Sequence, residues 1–139
     1  MPAVNDAVTD HVTPSDPVRL IMNSAVATVD VGCPLLDVVA ELVADEIGAV
    51  LVTGEHGPLG VLSERDVVTA LTTARDLATV QAEDVMSTEV VWADPADSVR
   101  AVGILMRDAG VRHIPVGDGR EALGVVAMRD VLSVLLTGN

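Results

Sequence analysis

An α+β fold of two matching β-α-β-β-α units, packed sheet to sheet with pseudo-twofold symmetry, is what the sequence predicts. Three observations lead there. Sliding the chain against itself by 64 residues without a gap lays Met22 on Met86, Val26 on Val90, Asp30 on Asp94 and Val38 on Val102. The register continues through Val52 on Val116, Leu59-Gly60-Val61 on Leu123-Gly124-Val125, Arg65-Asp66-Val67 on Arg129-Asp130-Val131 and Leu71 on Leu135. A chance match does not keep one register over about fifty residues, so the chain carries an internal repeat. Within each copy the apolar positions change from strand spacing to helical spacing and back. Two helices, finally, cannot cover both faces of three strands, and the bare face is covered if the copies pack against each other.

Each element has its own local reason. The copies are expected at 17–73 and 81–139, joined by a polar linker at 74–80 and preceded by a flexible tail at 1–16, which is polar and without apolar period. A β-branched strand opens each copy, at 25–29 and 90–93, and runs into a turn marked by Gly32 and Pro34 or by Pro95 and Asp97. A helix follows, with Leu35, Val38, Val39, Leu42 and Val43 at helical spacing in the first copy and Val99, Val102, Leu105 and Met106 in the second. Gly110 is placed to end the second helix as a left-handed C-cap. Two strands come next, 49–53 with 58–62 and 113–116 with 122–126, around Gly-rich loops with hairpin chemistry. The last helices are expected at 64–73 and 129–137.

Composition narrows the function. The chain has 139 residues, half of them apolar, yet no Phe or Tyr and one Trp, so the core must be Val, Leu, Ala, Ile and Met. Stacking platforms for single-stranded nucleic acid are excluded. All eight basic residues are Arg, against 21 acidic ones, and a net charge of −13 repels a phosphate backbone. The longest stretch without a charged residue, 20–29, is too short to span a bilayer. The first residues lack a secretory signal and Cys33 stands alone, so the expected compartment is the cytoplasm. His11, His56 and His113 are isolated and Cys33 has no ligand-spaced mate, which argues against a metal. A nucleophile-base-acid reading of Ser63, His113 and Asp66 fails because Leu59 to Ser63 is not a nucleophile elbow, so no catalysis is expected. Gly54-x-x-Gly57-x-x-Gly60 is better a hairpin turn than a phosphate loop, since no helix follows it directly.

Ile47 to Val52 with Leu59 to Val68, and Ala109 to Val116 with Leu123 to Leu132, resemble CBS (cystathionine β-synthase-type) repeats, which pair as a Bateman module. The likeness covers nearly everything after residue 16, and Ile21-Met22 and Asp84-Val85-Met86 resemble the family's lead-in. The resemblance implies a regulatory sensor that binds an adenine nucleotide or other adenosyl ligand, such as AMP, ADP, ATP or S-adenosylmethionine, in the cleft between the copies. It implies a ribose held by Ser63 and Asp66, and a phosphate or polar end held by Arg112 and His113 with Arg65 nearby. An adenine pocket around Val61, Val90, Val91 and Trp92 completes this site. The second site keeps Asp130 and Arg129 but has Ala127 where the first has Ser63, so weaker binding is expected there.

Chemistry supports the ribose reading, because a carboxylate accepts from both hydroxyls of a cis-diol. Ser63-x-x-Asp66 is equally a helix cap with an acidic N3 residue, and the two readings are compatible. Arg112 also fits a solvated strand-edge residue, and His113 a half-buried side chain satisfied by backbone. The strongly negative chain favours AMP, adenosine or a cationic adenosyl compound over ATP. The alternative is a ligand-free module for protein association. Apolar helix positions such as Val102 would then pair chains, and a homodimer fits either reading. The effector protein that would respond is separate and not identified.

Overall fold

The computed structural model describes residues 11–45, 47–73 and 76–137. The chain forms two compact units whose boundaries cut across the repeats: one is Val26–Val90, and the other joins Met1–Ala25 to Val91–Asn139.

The first unit contains β1 (Thr28–Asp30), α1 (Leu35–Asp45), β2 (Ala49–Gly54), β3 (Gly57–Ser63), α2 (Glu64–Ala70) and α3 (Ala82–Val85). Its sheet runs β1-β2-β3, with β1 parallel and β3 antiparallel to the central β2. Leu35, Val38 and Leu42 of α1 pack with Val50, Val52, Leu62 and Val67, one helical stripe meeting one strand face. Leu51 is buried as well, on the opposite sheet face.

The second unit has a 3-10 turn at Val18–Leu20, then α4 (Val99–Ala109), β4 (His113–Gly117), β5 (Ala122–Ala127) and α5 (Met128–Thr137). Ser98 caps α4, its hydroxyl accepting from the Ala101 N–H at 3.1 Å, and Gly110 ends it at φ 69° as its position predicts. Val102 and Met106 pack with Ile114, Val116, Val126, Val131 and Val134. The strand expected at 90–93 shrinks to one parallel bridge from Ala93 to Val116. Asp94 stops it: its carboxylate accepts from the Ala96 N–H at 2.9 Å, starting a turn where the ladder would continue.

The lead-in segments are exchanged between the repeats. Asn23 pairs with Val125 and Ser87 with Val61, positions related by the same 64-residue shift. Helix starts are served likewise, the Leu35 N–H donating to Val80 O at 2.7 Å and the Val99 N–H to Asp16 O at 2.9 Å. These are donors that a helix cannot satisfy itself. The tail expected at 1–16 is therefore shorter than its polar composition suggests. Val12 is 3% exposed in the core of the second unit, and Pro14 O accepts from the Arg100 N–H. Residues 1–10 lie outside the described residues. Val102, read as an association surface, is 1% exposed and faces the core, so it does not present such a surface.

Gly60 and Gly124 let the exchanged segments approach. A Cβ on Gly60 would lie 2.6 Å from Met86 Sδ and 2.7 Å from Ser87 O; on Gly124 it would lie 2.7 Å from Met22 Sδ and 2.9 Å from Asn23 O. Carbonyls of bridged backbone cannot step aside. Gly60→Ala and Gly124→Ala should each cost about 1–3 kcal/mol and lower the melting temperature by several degrees. Gly32→Ala, whose Cβ would meet only Asp30 Oδ2 at 3.4 Å, should not. Differential scanning calorimetry of the three variants checks this.

Candidate functional site

The junction of β3 and α2 builds the first half-site. The Val61 N–H donates to Ser87 O at 3.0 Å and the Ser87 N–H returns to Val61 O at 2.9 Å, fixing the end of the strand. Ser63 then leaves it in extended conformation as the N-cap of α2. The Ser63 N–H and hydroxyl both donate to Asp66 Oδ2, at 2.8 and 3.0 Å, while the Asp66 N–H donates to Ser63 Oγ at 3.3 Å. This is a complete capping box. All the bonds to the carboxylate fall on Oδ2, so Oδ1 has no protein partner among the described residues. Ser63, Asp66, Val61 and Val90 are half-buried, and Arg65 is exposed beside them in sequence.

The junction of β5 and α5 is the matching place in the other unit. The Met128 N–H donates to Arg112 O at 2.8 Å, as the Glu64 N–H donates to Gly48 O at 2.9 Å. Ala127 offers no hydroxyl to Asp130. Burial pushes the half-buried Asp130 carboxyl above the ordinary range, against the opposing pull of Arg129, the Ala127 backbone N–H and His113. His113 stands directly across from Ala127 in the β4–β5 ladder, so it acts on Asp130 within its own unit. Hairpin register carries that signal, and matching the repeats for motif residues alone misses it. Arg112 and Arg129 are exposed; Val91 and Trp92 are half-buried.

Of the expected site residues, one unit thus holds Ser63, Asp66, Arg65, Val61 and Val90, and the other Arg112, His113, Arg129, Asp130, Val91 and Trp92. Arg107 and Asp108 form a salt bridge on exposed surface, while Arg65 and Arg112 have no carboxylate partner among the described residues. No group of three or more His, Cys, Asp or Glu among the described residues could hold a metal ion, and no helix there is long and apolar enough to cross a membrane. Burial raises the Cys33 thiol, and the carboxylates of Asp37, Asp30 and Glu41 push it the same way.

The CBS domain family model matches the chain at residues 12–73 and again at 82–137. The CBS domain-containing protein YhcV of Bacillus subtilis is 27% identical over 114 residues, 82% of this chain and 81% of YhcV. An uncharacterised 33.4 kDa protein in the ribosomal RNA operon of Thermofilum pendens is 33% identical over 100 residues, 71% of this chain. The matched region is only 33% of that relative's length. The CBS domain pair of protein MJ0100, whose crystal structure is a complex with 5′-methylthioadenosine and S-adenosyl-L-methionine, superposes with a TM-score of 0.81 at 20% identity, over 91% of this chain and all of that one.

Asp130 gives the stability a pH dependence of known sign. Its folded-state pKa is raised, so the folded chain gains from keeping the proton. That contribution is fully present below the unfolded value, about 3.9, and is lost as pH rises through the folded value. Urea unfolding at successive pH values should therefore show Asp130→Asn gaining on the wild type across that window, with a constant difference above it. Cys33 should be alkylated by iodoacetamide more slowly at pH 8 than a free cysteine, because its thiolate is disfavoured.

Proposed function

The chain belongs to the CBS domain family, and on that premise we propose that it is a regulatory sensor for an adenosyl ligand, signalling to a separate protein. Ser63 and Asp66 hold the ribose, Arg65 stands near the polar end, and Val61 and Val90 of the same unit border the adenine. The observation that carries this reading is the open Oδ1 of Asp66. The capping box engages only Oδ2 and fixes the carboxylate's orientation, so a cis-diol would meet an acceptor already aimed. An acidic residue that served only the helix would need nothing more than the cap it already makes. The adenosyl compounds in the complex of the MJ0100 pair support the ligand class. The net charge of −13 favours a neutral or cationic member of that class over a triphosphate.

Association is the second reading, and exposed apolar residues favour it. Val68 on α2 and Leu71 at its C-cap are exposed, as are their repeat partners Leu132 and Leu135 on α5. A homodimer formed through such faces is compatible with ligand sensing.

Thermal unfolding against AMP, ADP, ATP, adenosine, S-adenosylmethionine and GTP separates the two. A ligand at one hundred times its dissociation constant adds about 2.7 kcal/mol, a shift of several degrees at this size. The expected result is a shift with one or more adenosyl ligands that disappears in Asp66→Asn. A shift retained in that variant overturns the ribose assignment. No shift with any ligand, together with a change in sedimentation for Leu132→Glu, would support the association module instead.

A further inference from the structure

The two ladders differ at one matched pair of positions. Across β2 and β3, Ala49 stands opposite Ser63; across β4 and β5, His113 stands opposite Ala127. These pairs are equivalent under the 64-residue shift, so the polar member has moved from the second strand of the hairpin to the first. Directly opposed residues of an antiparallel pair project from the same sheet face with Cβ atoms about 4.5–5.5 Å apart. An imidazole at 113 therefore lies over the methyl group of Ala127, beside the first turn of α5, where Asp130 sits. In the first unit that place is filled by the Ser63 hydroxyl, donating to Asp66 at 3.0 Å.

We propose that His113 takes over the role of the missing hydroxyl, positioning the Asp130 carboxylate through a ring N–H so that the second repeat carries a working diol-binding carboxylate. His113 is thus a positioning residue for Asp130. The inference rests on the reading of Asp66 as a ribose carboxylate. It replaces the expectation of a weakened second site with a site of different construction, one hydrogen-bond donor substituted for another from the facing strand.

The charges around Asp130 are consistent with this role. The helix packed along α5 carries Arg100, Arg107 and Asp108, all exposed; the lead-in carries Asp16 and Arg19; Arg112 precedes β4, and β5 has no ionisable side chain. Of the ionisable groups, Arg129 and His113 are those that act on Asp130, and both favour its ionised form.

Two measurements on the whole chain test the proposal. In the ligand-free protein, carbon NMR of the side-chain carboxyl should show the Asp130 midpoint rising in His113→Ala. It should fall back when Ala127→Ser is added, which restores a hydroxyl in the manner of Ser63. His113→Gln, which keeps an N–H donor, should stay near the wild type and serves if the alanine variant does not fold. A midpoint indifferent to all three changes overturns the proposal.

Calorimetric titration with adenosine, with 2′-deoxyadenosine as the control lacking the diol, should show a second equivalent per chain. Asp130→Asn should abolish it, His113→Ala should weaken it about tenfold, the loss of one charge-assisted hydrogen bond, and His113→Ala with Ala127→Ser should recover it. A single equivalent, lost in Asp66→Asn and unmoved by Asp130→Asn or His113→Ala, overturns this inference and leaves the first site standing. Absence of adenosine binding at both sites removes both readings.

Discussion

Each sheet is completed by backbone from the other repeat, and the rest of the molecule depends on that exchange. Asn23 bridges Val125 and Ser87 bridges Val61, while Val80 and Asp16 carbonyls accept the first N–H groups of α1 and α4. A repeat cut from its neighbour would lose these hydrogen bonds together, each contributing about 0.5–1.5 kcal/mol net. It would also lose part of its core, since Val12, Val18 and Ile21 pack among the side chains of the second repeat. Duplication in this chain therefore yields repeats that share backbone and core within each unit, although the sequence reads as two copies in series. The glycines at 60 and 124 follow from the exchange, because each lies under a methionine and a carbonyl of the incoming segment.

The same exchange prepares the half-sites. Ser87 holds Val61 by two hydrogen bonds, and Ser63 caps a helix two residues later. Strand end, cap and carboxylate are thus positioned by hydrogen bonds within this unit. At Asp66 the bonds that terminate the helix also restrict the acid's rotation. The second unit repeats the backbone part, with Met128 bonded to Arg112 as Glu64 is to Gly48. What has diverged between the copies is the side-chain donor, while the scaffold that carries it has been kept.

Much of this was legible in the sequence, for reasons of range. The helices at Leu35–Asp45 and Val99–Ala109 follow from apolar spacing, the hairpins from their turn residues, and the cap at Ser63 from a three-residue spacing. All of these are local signals. The lead-ins carry only a family likeness in sequence, because a 3-10 turn of three residues and a helix of four are too short to hold themselves together. Their stability is tertiary, and so the polar composition around Val12 reads as a tail. Val102 reads as a surface residue from spacing alone, because spacing shows that a helix has an apolar stripe without saying which of its residues stay exposed. In the site, residue types were readable, whereas the division of Asp66 into a bonded and an open oxygen required geometry. The neighbourhood of His113 required strand register, which the loop lengths alone do not fix when each hairpin carries a bulge, here at Val52/Thr53 and Val116/Gly117.

Charge sets the remaining constraint. A chain of net charge −13 holds its arginines almost entirely outside ion pairs among the described residues, where one pair joins Arg107 to Asp108. Unpaired arginines in so acidic a protein are not needed for stability, since exposed pairs add little in any case. Their value is local: at physiological ionic strength the global field is screened within about 8 Å, so a guanidinium at hydrogen-bonding range outweighs distant carboxylates. Recognition can then be divided into a fixed part and a variable one. On the proposed sensor reading, the capped Asp66 carboxylate reads the diol, which every adenosyl ligand with an intact ribose shares, and the arginines outside ion pairs discriminate at the ligand's other end.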